Sequence, residues 1–154
     1  MTKNDSKLNN FLVPAKRATY ASSGEGGERR LADGAKELIF KKGLYKYRDR
    51  YFGSNPFIGQ EIVFYNKKPI WGMNYSGGII NNIIDSQEVY SFLKNALKQV
   101  SKSNPYRGPE TLSSGQWKYS CTAKGSVSNF SGREEIFWRK KKVYELLFHG
   151  GEIR

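Results

Sequence analysis

The fold is decided by nine consecutive residues, Leu44-Tyr45-Lys46-Tyr47-Arg48-Asp49-Arg50-Tyr51-Phe52. A tyrosine or an aspartate stands at every second position, and a lysine or an arginine stands between them. Because successive side chains of a β-strand point to opposite faces, this alternation predicts a strand with one aromatic and one basic face. A helix would mix the two sets. The aromatic face needs a layer to pack on, and the basic face needs water or an anion.

Length and composition narrow the class of protein. At 154 residues the chain is expected to form a single domain, residues 1–154, with residues 1–10 loosely ordered. The single cysteine excludes an internal disulfide, and no apolar run resembles a membrane span or a signal peptide. We therefore expect a cytoplasmic protein. One histidine and one cysteine cannot build a metal cluster, so neither a metal nor a cofactor is expected.

Charge is the strongest global signal. The chain carries 26 basic and 14 acidic residues, a net charge of +12. Such an excess favours anionic partners, such as an acidic ligand, a phosphate or a nucleic acid. Solubility alone would also explain it, because only residues 139–142 form a dense basic run.

Periodicity predicts the order helix, four strands, helix, three strands. The helices are expected at residues 5–20, kinked or restarted at Pro14, and at residues 86–100, with Asp85 as the N-cap. A glycine-rich loop at residues 22–30 follows the first helix. The strands are expected at residues 36–41, 44–52, 57–65, 70–75, 116–123, 134–139 and 143–149, with connections at residues 129–132 and 139–142.

This order predicts an α+β fold. We expect a strongly twisted, mostly antiparallel sheet of about seven strands, curled around one long helix, with a second helix at the N-terminus. A curled sheet with a helix across its mouth leaves a pocket, which we expect between the aromatic faces of the strands and the second helix.

Four stretches carry a resemblance to a known family. They are residues 15–21 (AKRATYA), 71–77 (WGMNYSG), 105–109 (PYRGP) and 143–151 (VYELLFHGG). The chain resembles an uncharacterised bacterial domain that occurs alone or C-terminal to a Cro/C1-type helix-turn-helix in regulators. The resemblance implies a ligand-sensing role and supplies no catalytic residues. Since nothing before residue 15 is long enough for a helix-turn-helix, we expect a free-standing module without its own DNA-binding domain.

The candidate ligand-binding residues are aromatic or polar side chains on strands and at the ends of elements. They are Tyr47, Asp49, Trp71, Tyr75, Arg107 and His149. Rings offer stacking area, and an arginine offers bidentate contact to a carboxylate or phosphate, so the set suits an anionic, aromatic or nucleotide-like small molecule. Asp49 also needs a partner, because an unpaired carboxylate is costly to bury. The alternative is that these residues only fill the core.

Two other functions remain open from the sequence. One is nucleic-acid binding without catalysis. The other is a small ribonuclease-like enzyme, in which Glu61 or Asp49 would act as the base, His149 as the acid and Arg107 as the phosphate holder. Glu145 is a poorer base, because it lies four positions before His149 on the same strand, roughly 13 Å away.

Overall fold

The computed structural model describes residues 3–19 and 27–154, and in these ranges the chain forms two helices and nine strands. The helices are α1 (Lys3–Thr19) and α2 (Ser86–Leu97). The strands are β1 (Arg29–Arg30), β2 (Lys36–Lys42), β3 (Tyr45–Gly53), β4 (Phe57–Tyr65), β5 (Lys68–Ile79), β6 (Thr111–Ser114), β7 (Trp117–Ser126), β8 (Asn129–Trp138) and β9 (Lys141–Glu152).

All the strands belong to one antiparallel sheet in the order β1-β2-β3-β4-β5-β9-β8-β7-β6. Strands β1 to β5 form one meander, and β6 to β9 form a second. Helix α2 connects the two meanders, and β9 joins them in the sheet by pairing with β5 from Trp71 opposite Glu152 to Ile79 opposite Tyr144. The α+β class and the mostly antiparallel sheet are confirmed.

The alternation of β3 has the predicted effect. Tyr47 and Asp49 are fully buried on the face that we call inner, whereas Arg48 and Arg50 are half-buried on the outer face. Both helices pack on the inner face. In α1, Phe11 stacks on Tyr45 with ring centres 4.9 Å apart. In α2, Phe92 stacks on Trp117 of β7, and Tyr90 meets Tyr144 of β9 edge to face. The outer face carries neither helix.

The strand count and the helix lengths differ from the prediction. The sheet has nine strands rather than about seven, because two short edge strands, β1 and β6, contain almost no buried side chain and so give no periodic signal. The N-terminal helix is the longer one, with 17 residues against 12 in α2. Residues 129–132, expected to be a connection, instead begin β8, where Phe130 is the buried residue.

Helix α1 continues through Pro14 as a single helix. Residues 3–10, expected to be loosely ordered, belong to this helix, and Asn9 in it donates to the Lys102 carbonyl at 3.1 Å. Residue 20 and residues 22–26 of the predicted glycine-rich loop lie outside the described residues, while Arg29 and Arg30 form β1. Neither helix in the described ranges is long and apolar enough to cross a membrane.

Helix α2 begins where its cap predicts. The Asp85 carboxylate accepts a hydrogen bond of 2.7 Å from the Gln87 amide, and the helix buries an apolar stripe made of Val89, Phe92, Leu93, Ala96 and Leu97. It ends at Leu97 and not at residue 100, because the amides of Gln99 and Val100 bond to carbonyls three residues back and tighten the last turn.

Replacing Asp85 by alanine should therefore lower the free energy of unfolding by about 1 kcal/mol, the typical cost of losing an N-cap. Lys94→Ala, on the half-buried flank of the same helix, should change it by less than about 0.5 kcal/mol. Urea denaturation of both variants measures this. Equal losses would mean that the cap does not hold the start of the helix.

Candidate functional site

The inner face contains a charged cluster built around Glu134 of β8, which is fully buried. Arg107, from the loop between α2 and β6, donates from Nη2 to Glu134 Oε1 at 3.0 Å and from Nε to both carboxylate oxygens at 3.2 Å. The hydroxyls of Tyr119 and Tyr144 donate to the same carboxylate at 2.6 and 3.0 Å. Three hydrogen-bonding contacts from the arginine and one from each tyrosine thus meet at one buried anion.

A second group of ionisable residues lies beside it. Lys16 of α1 is ion-paired with Glu61 of β4 and donates to the Tyr106 carbonyl at 2.6 Å. Asp49 of β3 stands opposite Glu61 in the sheet register and accepts a hydrogen bond of 2.6 Å from the Tyr75 hydroxyl. The inner cluster comprises both groups, namely Lys16, Asp49, Glu61, Tyr75, Arg107, Tyr119, Glu134 and Tyr144.

Burial sets the electrostatics of the inner cluster. Burial, together with the negative charge of Glu61, raises the pKa of Asp49 to about 7 against the opposing hydrogen bond from Tyr75. Burial also lowers the pKa of Lys16, an effect that Glu61 opposes. With Asp49 protonated, two cations face two carboxylates and the cluster is electrically balanced. Deprotonation of Asp49 adds one uncompensated buried charge.

The structure brings most of the predicted site residues together. Tyr47, Asp49, Glu61, Trp71, Tyr75 and Arg107 all lie on the inner side of the sheet, and each is at most 2% exposed. The Trp71 indole is satisfied by a hydrogen bond of 2.8 Å to the Val127 carbonyl. Arg107, expected to be presented at an accessible end of an element, is instead buried in its ion pair with Glu134.

His149 does not join these residues. It is exposed on the outer face, because β9 turns Phe148, and not its neighbour, toward the inner side. The expected pairing of Arg107 with His149 is therefore not formed, and neither is the ribonuclease-like set of Glu61, His149 and Arg107. The sheet itself separates the two groups.

Sequence reasoning missed Lys16, Tyr119, Glu134 and Tyr144. Lys16 follows Leu12 by four residues and so lies on the apolar stripe of α1, which was a usable signal. Glu134 shares a strand face with Phe130 and Ile136, both buried, and this alternation could have marked it too. The partner of each buried charge comes from a distant element, which one strand's pattern cannot reveal.

The outer face carries a groove of about 1180 Å³. Across its floor runs a row of residues that are direct neighbours in the register of six strands, which we call the polar row. It consists of Arg50, Gln60, Asn74, His149, Ser131 and Lys124. Five strand spacings give this row a length of about 24 Å, with a cation at each end.

A second row lies beside it, two residues further along each strand, and we call it the mixed row. It consists of Phe52, Ile58, Ser76, Leu147, Arg133 and Thr122. Phe52, Ile58 and Leu147 are 43%, 59% and 52% exposed, which is unusual for large apolar side chains. The groove therefore places an apolar strip next to a strip of cations, amides and hydroxyls.

The cations of the groove are weakly held. Arg50 lies 3.7 Å from Asp33 and 3.9 Å from Glu37, and Arg133 lies 3.9 Å from Glu145, all at the limit of an ion pair. Lys124 has no ion pair within residues 3–19 and 27–154. Over the same described ranges, no group of histidine, cysteine, aspartate and glutamate could hold a metal ion. These positive charges remain available to an anion.

Comparison with known proteins gives one match. The model of a family described as a domain of unknown function, DUF5680, matches residues 49–153. The matched stretch includes both rows of the groove and the Arg107–Glu134 pair, and it leaves out α1. Among curated proteins and solved structures, none matches the chain.

The raised pKa of Asp49 makes stability depend on pH. Because about 7 in the folded protein exceeds roughly 3.9 in the unfolded chain, the fold favours the protonated form. The stability that Asp49 contributes should be greatest below pH 4, fall by up to about 1.4 kcal/mol per unit as the pH rises from 4 to 7, and level off above 7. Asp49→Asn, which keeps an acceptor for Tyr75, should remove this slope.

Chemical denaturation at pH 5, 6, 7 and 8 measures how the free energy of unfolding depends on pH. Asp33→Asn is the matched control, since Asp33 is half-exposed and its amide analogue can still accept from the Ala35 N–H. The control should keep the wild-type slope. An unchanged slope in Asp49→Asn would show that Asp49 is ionised throughout this range.

Proposed function

We propose that this chain, which belongs to the DUF5680 family, is a module that binds an anionic small molecule with an apolar or aromatic part in the groove of its outer face. The observation that carries the proposal is the pair of parallel rows, one polar with a cation at each end and one with three exposed apolar side chains.

The two rows match the two parts of such a ligand. A phosphate or carboxylate would accept charge-assisted hydrogen bonds from Arg50 or Lys124, whose positive charges are weakly neutralised by neighbouring carboxylates. A ring or alkyl part would cover Phe52, Ile58 and Leu147 and remove their apolar surface from water. The side chains of Gln60 and Asn74, which bond to each other at 3.0 Å, can turn to a polar ligand edge.

The size of the groove favours a ligand larger than a single inorganic ion. Pockets for small molecules usually measure about 300–1,000 Å³, and this groove is slightly larger. A single inorganic anion would leave the mixed row uncovered, so a nucleotide-like molecule or a larger one fits better.

The inner cluster supports the same choice by exclusion. Binding there would require α1 or the Arg107 loop to move away from the sheet. Movement of α1 would break the ion pair of Lys16 with Glu61, and movement of the loop would break the ion pair of Arg107 with Glu134. Removing one partner from a buried ion pair typically costs about 3–5 kcal/mol. This favours the outer groove over the pocket expected between the aromatic faces and α2.

The resemblance to a domain fused to helix-turn-helix regulators supports a sensory role for this binding. In such a role the ligand itself is the signal, and no bond needs to be broken. The separation of His149 from Glu61 and Arg107 agrees with a binding function, because the three cannot act on one phosphate.

ATP is a suitable probe for the groove. The double variant Arg50→Gln with Lys124→Gln should weaken ATP binding about tenfold or more, since each lost charge-assisted bond is worth about 1.5–3 kcal/mol before solvent screening. Lys94→Gln with Lys98→Gln on α2 removes the same net charge away from the groove and is the control. Isothermal titration calorimetry measures both. Equal weakening would mean that only net charge matters, and absence of wild-type binding would contradict a nucleotide-like ligand.

A second function, binding of single-stranded nucleic acid, is favoured by one specific observation. Lys46 and Arg48 continue the line of Arg50 along the outer side of β3, where they lie 5.4 and 5.2 Å from the centre of the Phe64 ring. The basic side of this strand thus runs beyond the groove, as a phosphate backbone would require. The net charge of +12 points the same way.

Salt dependence distinguishes this function from small-ligand binding. If oligothymidylate contacts the three cations of β3, log K should fall with log salt with a slope of about −2, and Arg48→Gln should make the slope shallower by about 0.7. Fluorescence anisotropy at several salt concentrations measures the slope. ATP binding should be unaffected by Arg48→Gln. An oligonucleotide affinity that does not change with salt would rule this function out.

A further inference from the structure

Strand β7 has a free edge along half of its length. Strand β6 pairs only with Trp117 to Ser120 of β7 and the Cys121 amide bonds to the Glu110 carbonyl, whereas β7 continues to Ser126. From Thr122 to Ser126 every residue is exposed and pairs only with β8. No other described strand lies along this side.

At this edge, the peptide groups of every second residue point outward. In an antiparallel sheet the N–H and C=O of one residue point to the same side, and the side alternates along the strand. The Cys121 amide points toward β6, so the peptide groups of Ala123, two residues on, point to the same side, beyond the end of β6. The peptide groups of Thr122 point to β8, and the Thr122 carbonyl accordingly lies close to Gly132 of that strand.

The outer side of the free segment carries positive charge. Lys124 stands on the outer side of the free segment, and Arg133 of β8 lies directly opposite Thr122. On the inner side, Ala123 and Gly125 present no large side chain. A strand added here would place alternate side chains beside Lys124 and the others over the two small residues.

We propose that the free edge of β7 is a docking site for an extended acidic peptide segment of a partner protein, which adds to the sheet as a tenth strand. Main-chain hydrogen bonds to Ala123 would hold the peptide, and acidic side chains beside Lys124 would set its preference. A lysine on an edge discourages unspecific pairing, and an acidic peptide is the class of partner that neutralises this charge.

Charge argues against a second copy of the chain in this position. Each copy carries a net charge of +12, and antiparallel pairing of two β7 edges would bring two copies of Lys124 close together. Like charges that face each other across strands are destabilising. A partner of opposite charge is therefore the better occupant.

The probe for this site is a blocked eight-residue peptide of alternating glutamate and valine, and the control peptide has lysine in place of glutamate. Amide hydrogen exchange of the full chain, followed by NMR, is measured with each peptide. The glutamate peptide should slow exchange of the Ala123 amide at least tenfold at saturation. The lysine peptide should leave it unchanged.

Two variants separate the contributions. Ala123→Pro removes the outward donor and should abolish binding of the glutamate peptide, while a proline is tolerated at the edge of a sheet. Lys124→Glu keeps the donor and should weaken binding about fivefold or more, and it remains informative if Ala123→Pro does not fold. Ala123→Pro should still bind ATP, which distinguishes this site from the groove.

Three results would overturn the proposal. The first is equal or no protection by the two peptides. The second is slow exchange of the Ala123 amide without peptide that becomes slower as the protein concentration rises, which would make a second copy the occupant. The third is slow exchange of the Ala123 amide without peptide that does not change with protein concentration, which would mean that the chain itself covers the edge.

Discussion

The ion pair between Arg107 and Glu134 is the constraint on which the rest of the structure depends. A buried carboxylate is tolerated only when its oxygens are fully hydrogen-bonded, and here the donors come from the loop after α2, from β7 and from β9. A one-residue slip of β7 or β9 would turn Tyr119 or Tyr144 to the outer face and leave Glu134 short of a donor. The pair therefore fixes the register of three strands and closes the inner face.

A closed inner face leaves the outer face as the side on which we propose recognition. The strand alternation that buries tyrosines and ion pairs on one side places arginines, amides and the single histidine on the other. The two faces of one sheet thus differ in composition and accessibility. Its inner side holds the fold with charges that must stay paired, and its outer side carries loosely held cations and exposed apolar side chains.

Elements with strong local patterns were predictable from the sequence, and long-range partners were not. The alternation of β3 and the cap and stripe of α2 were visible because local spacing determines them. The short edge strands β1 and β6 were not, since they bury almost nothing. Six candidate site residues do lie together, because large inward residues converge on one core. His149 was misplaced relative to Arg107 because position at the end of an element does not reveal which face a side chain takes.

The division of the sheet into a closed and an open face can be tested in one labelling experiment, because the chain has a single histidine and a single cysteine. Cys121 is buried beside Glu134, and burial raises the pKa of its thiol to about 12, so it should be inert. Native protein is treated with diethyl pyrocarbonate and iodoacetamide and analysed by mass spectrometry. The account predicts that His149 is modified promptly and Cys121 only after unfolding. Prompt alkylation of Cys121 with an unreactive His149 would contradict it.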